Sequence, residues 1–153
     1  MEFEEQEFED INTFSLAWRW TDANHWKATV SELERIRPLF PAIAHRLWNE
    51  IFQMTFGEES DSRAFFTTDA IEYRTDRDPI YVTQWLNSLS SNQSGKIIIF
   101  WEPDKAVVTE QSLFANHWDD FCYPSSDDIV IWPTDVSWVL IYGHEEVFRF
   151  KKV

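Results

Sequence analysis

The sequence predicts one α+β domain, in which an antiparallel sheet of four to six strands carries helices on one face. Three observations predict this fold class. The 153 residues are the size of one ordinary domain, and 44% of them are hydrophobic, which is enough for one continuous core. Helical periodicity is concentrated in residues 31–89, whereas short apolar segments typical of strands dominate residues 96–153. We expect an acidic, flexible tail over residues 1–10 and a single domain over residues 11–153.

The N-terminal segment is rich in charge and poor in apolar side chains. Residues 1–10 hold six carboxylates, so we expect them to be mobile or loosely docked. Residues 13–20 then alternate in part between apolar and polar side chains, which predicts the first strand. The side chains that would share one face of this strand are Phe14, Leu16, Trp18 and Trp20.

Three helices are predicted next. Ser31 can cap a short helix that ends before Pro38, and Pro41 can occupy the first helical position of the following one. The apolar residues of this second helix recur at spacings of four, four and three: Ile43, Leu47, Ile51 and Met54. Asp78, which precedes a proline, begins a third helix over residues 79–89.

The remainder of the chain is rich in strands. Residues 96–101 are apolar on both faces, as in a central strand. The other predicted strands span residues 106–109, 129–132, 138–142 and 147–150. A short helix is predicted over residues 112–121, and residues 143–146 form a hairpin turn. Residues 64–77 fit either a short strand or a covering loop. The predicted polar connections are residues 57–63 and 90–95.

The charge of the chain is strongly negative. Lys and Arg number 13 against 27 Asp and Glu, a formal net charge of −14. Nucleic-acid binding needs cations to neutralise phosphates, so this sign argues against DNA, RNA and anionic membranes as partners. No apolar run approaches the roughly 18 residues of a membrane span, and the first residues lack a secretory signal. We expect a cytoplasmic protein whose charge serves either solubility or capture of a basic partner.

The residue types that carry common enzyme chemistry are sparse. The three glycines, Gly57, Gly95 and Gly143, are too far apart to form a phosphate-binding loop. Cys122 has acidic neighbours in sequence, which disfavour a thiolate, so we expect a buried and inert cysteine. We therefore expect no cofactor and no catalytic residue.

One metal-binding alternative stays open. Residues 117–120 and 144–146 each combine a histidine with two carboxylates. If folding brought His117 and His144 together, a metal-assisted hydrolase would be the alternative function. The competing interpretation is a partly buried histidine with acidic neighbours.

The acidic residues are concentrated in residues 101–148. This segment holds ten acids and one cation, Lys105, a formal charge of −9, with aromatic residues between the acids. Aromatic rings supply buried contact area and cation–π contacts, and carboxylates supply steering and salt links. The predicted partner-binding residues are Trp118, Asp119, Asp120, Tyr123, Asp127, Asp128, Glu145 and Glu146. The competing interpretation places the rings in the core and leaves the acids as a solvated surface.

The same segment resembles the C-terminal half of small acidic bacterial immunity proteins, which neutralise secreted or contact-delivered toxins. Residues 118–127 match the pattern W-x-x-F-x-Y-P-x-x-D, and residues 138–148 match the hairpin pattern W-x-L-x-Y-x-H-E-x-x-F. The likeness covers about a third of the chain and consists mostly of core-type residues. It implies a cytoplasmic, non-enzymatic inhibitor that occludes a toxin, frequently a basic nuclease.

These observations lead to a primary hypothesis and two alternatives. The primary hypothesis is a cytoplasmic protein-binding protein, an immunity protein that covers a basic toxin domain through an acidic, aromatic surface. The first alternative is an interaction domain whose acidity serves only solubility. The second is the metal-assisted hydrolase with His117 and His144. The sequence does not fix the oligomeric state.

Overall fold

A computed structural model describes residues 1–57, 65–67, 69–89 and 95–153. Its strands form one seven-stranded sheet with the order β1-β4-β3-β5-β6-β7-β2, in which all neighbours are antiparallel. The strands are β1 (Arg37–Pro38), β2 (Ile71–Arg74), β3 (Lys96–Glu102), β4 (Lys105–Glu110), β5 (Ile129–Pro133), β6 (Trp138–Gly143) and β7 (Val147–Lys152). The mixed α+β class and the single antiparallel sheet are confirmed.

Short and long helices cover this sheet. They are α1 (Trp18–Thr21), α2 (Val30–Leu33), α3 (Pro41–Phe56), α4 (Pro79–Ser88), α5 (Gln111–Asn116) and α6 (Trp118–Phe121). Two 3₁₀ turns, Glu5–Glu7 and Ile11–Thr13, precede them. The predicted third helix begins as expected, because the side chain of Asp78 accepts a hydrogen bond from the Ile80 amide.

The helices lie on both faces of the sheet. The prediction that they lie on one face is wrong. Ile97 and Ile99 of β3 pack with α1, α4, α5 and α6, whereas Ile98 and Phe100 pack with α3. The central strands are apolar on both sides, and each face therefore has to be covered to keep its side chains from water. The strand number also exceeds four to six, because short edge strands β1 and β2 carry little periodic signal.

The predicted first strand over residues 13–20 is wrong. The segment starts at the last residue of the 3₁₀ turn Ile11–Thr13, continues through turns and ends in α1. Phe14 and Trp20 are buried with stacked rings, and Ala17 between them is buried too. A spacing of three places these residues on one side of a helical turn, which the partial alternation of the sequence obscured.

Two further boundaries differ from the sequence predictions. The N-cap of α2 is Thr29 and not Ser31, because Thr29 and Glu32 form a capping box. The helix predicted over residues 112–121 is divided into α5 and α6 at His117, whose φ is −131°. Of the predicted connections, residues 58–63 and 90–94 lie outside the described residues.

The first ten residues lie against β1 and α3. Phe8 forms an antiparallel bridge with Leu39, and the guanidinium of Arg37 lies 3.7 Å from the centroid of the Phe8 ring. Arg37 also pairs with Glu5 at 2.7 Å. These contacts give the segment a defined place on the domain, and its predicted flexibility stays a prediction.

Candidate functional site

Most of the loops that carry the predicted site lie at one end of the sheet. β3 ends where β5 begins, with Phe100 opposite Val130, and β6 ends where β7 begins. The turn between β3 and β4, the loop over residues 122–128 and the turn between β6 and β7 therefore project from the same end. This grouping follows from the antiparallel order of the central strands and was invisible in the sequence.

Apart from Asp127, five acidic residues occupy these loops, and we call them the acidic end: Glu102, Asp104, Asp128, Glu145 and Glu146. The first four are exposed and Glu146 is half-buried. Some of their charge is compensated, because Lys105 pairs with Glu102 and Arg149 pairs with Glu145 at 2.6 Å. Folding thus brings some of the acidic residues of segment 101–148 together at one end of the sheet. Glu110 and Asp135 lie at the opposite end.

Asp127 is not part of the accessible surface. It is 8% exposed and forms a bidentate ion pair with Arg19, with distances of 2.6 and 3.1 Å. Its carboxylate also accepts a hydrogen bond from the amide of Tyr123 at 2.8 Å. The prediction that Asp127 steers a partner is wrong in this conformation, since its charge is used to hold the loop against α1.

Trp118 is also buried and does not form a surface anchor as predicted. It is 5% exposed, belongs to the core and makes an edge contact with Phe148, with ring centroids 5.9 Å apart. The physical reason is its position on the inner side of α6, which faces the sheet. Sequence alone places a tryptophan on a short helix without fixing which side it occupies.

A group of three rings lies at the surface beside α6, and we call it the aromatic cluster: Trp18 and His25, which are exposed, and Tyr123, which is half-buried. Trp18 and Tyr123 are stacked, with centroids 5.6 Å apart and planes 3° apart. His25 meets both rings edge-on, and its Nδ1 lies 2.9 Å from the hydroxyl oxygen of Tyr123. Trp18 is 41% exposed. Tyr123 was predicted, whereas Trp18 and His25 were missed.

The aromatic cluster rests on the side chain of Arg19. Its guanidinium carbon lies 4.5 Å from the ring centroid of Tyr123, 5.2 Å from that of Trp18 and 5.6 Å from that of Trp101. Arg19 also donates to the carbonyl oxygen of Phe121 at 3.3 Å. The rings of Trp18 and Tyr123 are therefore held by cation–π contacts with Arg19, and Arg19 is itself held by its ion pair with Asp127.

Two predicted acids border the aromatic cluster. Asp119 is exposed, and Asp120 is half-buried and accepts a hydrogen bond from the Trp26 amide at 3.3 Å. Burial and the charge of Asp119 raise the pKa of Asp120. Burial, followed by the charge of Asp120, raises the pKa of Tyr123, so this phenol stays protonated at neutral pH. The Tyr123 ring of the cluster is therefore neutral and lies beside carboxylates.

Cys122 is buried, as expected. Burial raises the pKa of its thiol well above the ordinary value, and the charge of Asp127 raises it further. A protonated thiol in the core is a poor nucleophile and a poor metal ligand.

The two histidines of the metal-binding alternative have different neighbours. His117 stacks on Trp26 with ring centroids 3.6 Å apart, and its Nε2 lies 3.7 Å from Glu32. His144 lies 2.9 Å from Asp128. Within the described part of the chain, one group has potential ligand atoms within 4.8 Å of one another: Asp128, His144 and Glu145. His117 is not a member of that group, and all three members are exposed.

Comparison of the chain with protein-family models, with curated protein sequences and with solved structures finds no match. Among the residues that the structure describes, no helix combines the length and the apolar character needed to cross a bilayer.

Proposed function

We propose that this protein is a cytoplasmic immunity protein that inhibits a cognate bacterial toxin by covering a basic toxin domain, such as a nuclease. The observation that carries the proposal is the exposed aromatic cluster beside Asp119 and Asp120. Contact surfaces for proteins are enriched in tryptophan and tyrosine, and a few such residues supply most of the binding energy.

The charge of the protein supports a basic partner. At a formal net charge of −14 the chain attracts cations over distances of about 10 Å at 0.1 M salt. The acidic end adds carboxylates from three loops to those beside the aromatic cluster. Electrostatic attraction of this kind accelerates association, and the rings then provide desolvated contacts.

The preorganisation of the aromatic cluster also supports a binding role. Trp18 and Tyr123 are held by Arg19, which is itself held by Asp127. A ring that is fixed before binding loses little conformational entropy in the complex. Stoichiometric occlusion needs such a prearranged surface, and it requires no reacting group.

A second candidate function is favoured by the group of Asp128, His144 and Glu145. A histidine and two carboxylates can bind a divalent metal ion. The interaction of Glu145 with Arg149 competes with metal binding. Of the two histidines predicted for a metal site, His117 and His144, the group contains only His144. We rank a metal-assisted hydrolase below the binding protein for these reasons.

The proposal is tested by expressing this protein together with the products of its neighbouring genes. An immunity protein protects cells from a toxic neighbour and copurifies with it in a fixed stoichiometry. Protection should be lost with Trp18→Ala and retained with Tyr81→Ala, which removes an exposed ring from α4. The proposal fails if no neighbouring product is toxic or bound.

A further inference from the structure

We infer that the aromatic cluster receives an arginine side chain of the protein partner, which stacks on Trp18 and pairs with carboxylates beside it. This inference rests on the proposed function in one respect, namely that the partner is a basic protein. It goes further by specifying the recognised side chain and the position at which it binds.

The interior of the protein already contains the same arrangement. The guanidinium of Arg19 lies against the rings of Trp18, Trp101 and Tyr123, and both of its terminal nitrogens pair with Asp127. A guanidinium between aromatic rings and a carboxylate is therefore a stable combination in this region of the fold.

A second example occurs on the opposite face of the sheet. Arg37 lies 3.7 Å from the ring centroid of Phe8 and pairs with Glu5 at 2.7 Å. This site is partly exposed, so the combination of ring and carboxylate also holds an arginine near solvent.

The solvent-facing surface of the aromatic cluster also combines aromatic rings with carboxylates. Among the contacts of the described residues, no arginine of this chain touches that surface. Trp18 is 41% exposed, although its inner side is held by Arg19 and Tyr123. Asp22 is the C-cap residue of α1, and the charges of Asp120 and Asp119 on α6 act on the phenol of Tyr123. An incoming cation would meet an exposed indole in a cluster that lies within the electrostatic field of nearby carboxylates.

Arginine suits this geometry better than lysine. Its planar guanidinium can stack on an indole while its N–H groups point outward to carboxylates, and it is less strongly hydrated than an ammonium group. Cation–π contacts are also strongest on tryptophan. A lysine should bind here more weakly, and a neutral side chain of the same shape should not bind.

The experiment titrates three blocked peptides into ¹⁵N-labelled protein and follows the indole and backbone N–H signals by NMR. The peptides alternate glycine with arginine, lysine or citrulline, a neutral analogue of arginine. The Trp18 signal is identified by its loss in Trp18→Phe. We expect the arginine peptide to shift this signal, the lysine peptide to bind several-fold more weakly and the citrulline peptide to leave it unchanged.

Two variants locate the binding site. Trp18→Ala should weaken the arginine peptide about tenfold, and Tyr81→Ala should leave its affinity unchanged. Folding of both variants is checked by thermal unfolding. Equal affinities for the arginine and lysine peptides would overturn the inference, as would arginine-peptide shifts confined to the acidic end. Neither result contradicts the proposed function, which fails separately if the neighbouring toxin is not bound.

Discussion

Arg19 and Asp127 form a bidentate ion pair that is almost fully buried, with exposures of 4% and 8%. The pair joins α1 to the loop over residues 122–128 and so connects two segments more than 100 residues apart in sequence. Trp18 directly precedes Arg19, and the amide of Tyr123 donates a hydrogen bond to Asp127, so the pair connects the backbone segments that carry the two stacked rings. The exposed surface thus depends on a buried interaction.

Removing one partner of this pair should destabilise the protein strongly. Asp127→Asn leaves the Arg19 guanidinium without a compensating charge, and we expect the free energy of unfolding to fall by about 3–5 kcal/mol. Urea denaturation measures this change. The matched control is Glu145→Gln, which breaks an exposed pair with Arg149 and should cost less than about 1 kcal/mol. Equal losses in the two variants would contradict this role of the buried pair.

Asp120 should destabilise the fold at neutral pH. Burial and the charge of Asp119 raise the pKa of Asp120 in the folded state. The free energy of unfolding therefore decreases as the pH rises from the ordinary pKa of Asp to the raised pKa of the folded state. Asp120→Asn keeps an acceptor for the Trp26 amide and removes the charge. We expect this variant to be more stable than the wild type at pH 7.

The pH dependence provides the check on this prediction. The stability gained by Asp120→Asn should disappear at about pH 3, where the carboxyl is protonated in both states. Glu50→Gln, an exposed position on α3, serves as the control for a general effect of charge. A gain that persists unchanged at low pH would show that the cause is not the ionisation of Asp120.

Cys122 should react with thiol reagents only when the protein unfolds. Its side chain is buried and its thiol pKa is raised, so the thiolate is both rare and inaccessible. The measurement is the rate of modification by an aromatic disulfide with and without denaturant. In Ala42→Cys, which places a second thiol on the exposed side of α3, one thiol should react at once. Rapid modification of the native wild type would contradict the buried assignment.

Purified protein should contain no stoichiometric transition metal after dialysis against zinc and a wash without chelator. The candidate ligands Asp128, His144 and Glu145 are exposed, and Arg149 holds Glu145. Elemental analysis gives the metal content. One zinc per chain that is lost in His144→Ala but kept in His45→Ala would favour the hydrolase over the binding protein.

Local patterns were sufficient to predict much of the fold. The recurrence of Ile43, Leu47 and Ile51 predicted α3, and the apolar run at residues 96–101 predicted a central strand. The same run indicated burial on both faces, although we placed helices on only one. The failure at residues 13–20 has a non-local cause, because Trp20 packs against Phe121 and Trp101 from distant segments.

The candidate site was less predictable, since a list of acids does not show which side chains reach solvent. Asp127 and Asp128 are adjacent in sequence, yet one is buried with Arg19 and the other is exposed. Trp118, which was predicted as a surface anchor, is in the core. Trp18, which was predicted on one face of a strand, is at the surface. These outcomes depend on tertiary contacts, since Asp127 pairs with Arg19 of α1 and Trp118 packs on Phe148 of β7.

The most direct test of the proposed binding surface is the association rate constant with the cognate toxin, measured by stopped flow over a range of salt concentrations. We expect faster association at low salt, and a decrease in the rate constant of about tenfold or more for Asp119→Lys combined with Asp128→Lys. Glu2→Lys combined with Glu50→Lys makes the same change in net charge on the α3 side and should have a much smaller effect. Equal decreases for the two double variants, or a rate constant independent of salt, would contradict the proposed binding surface.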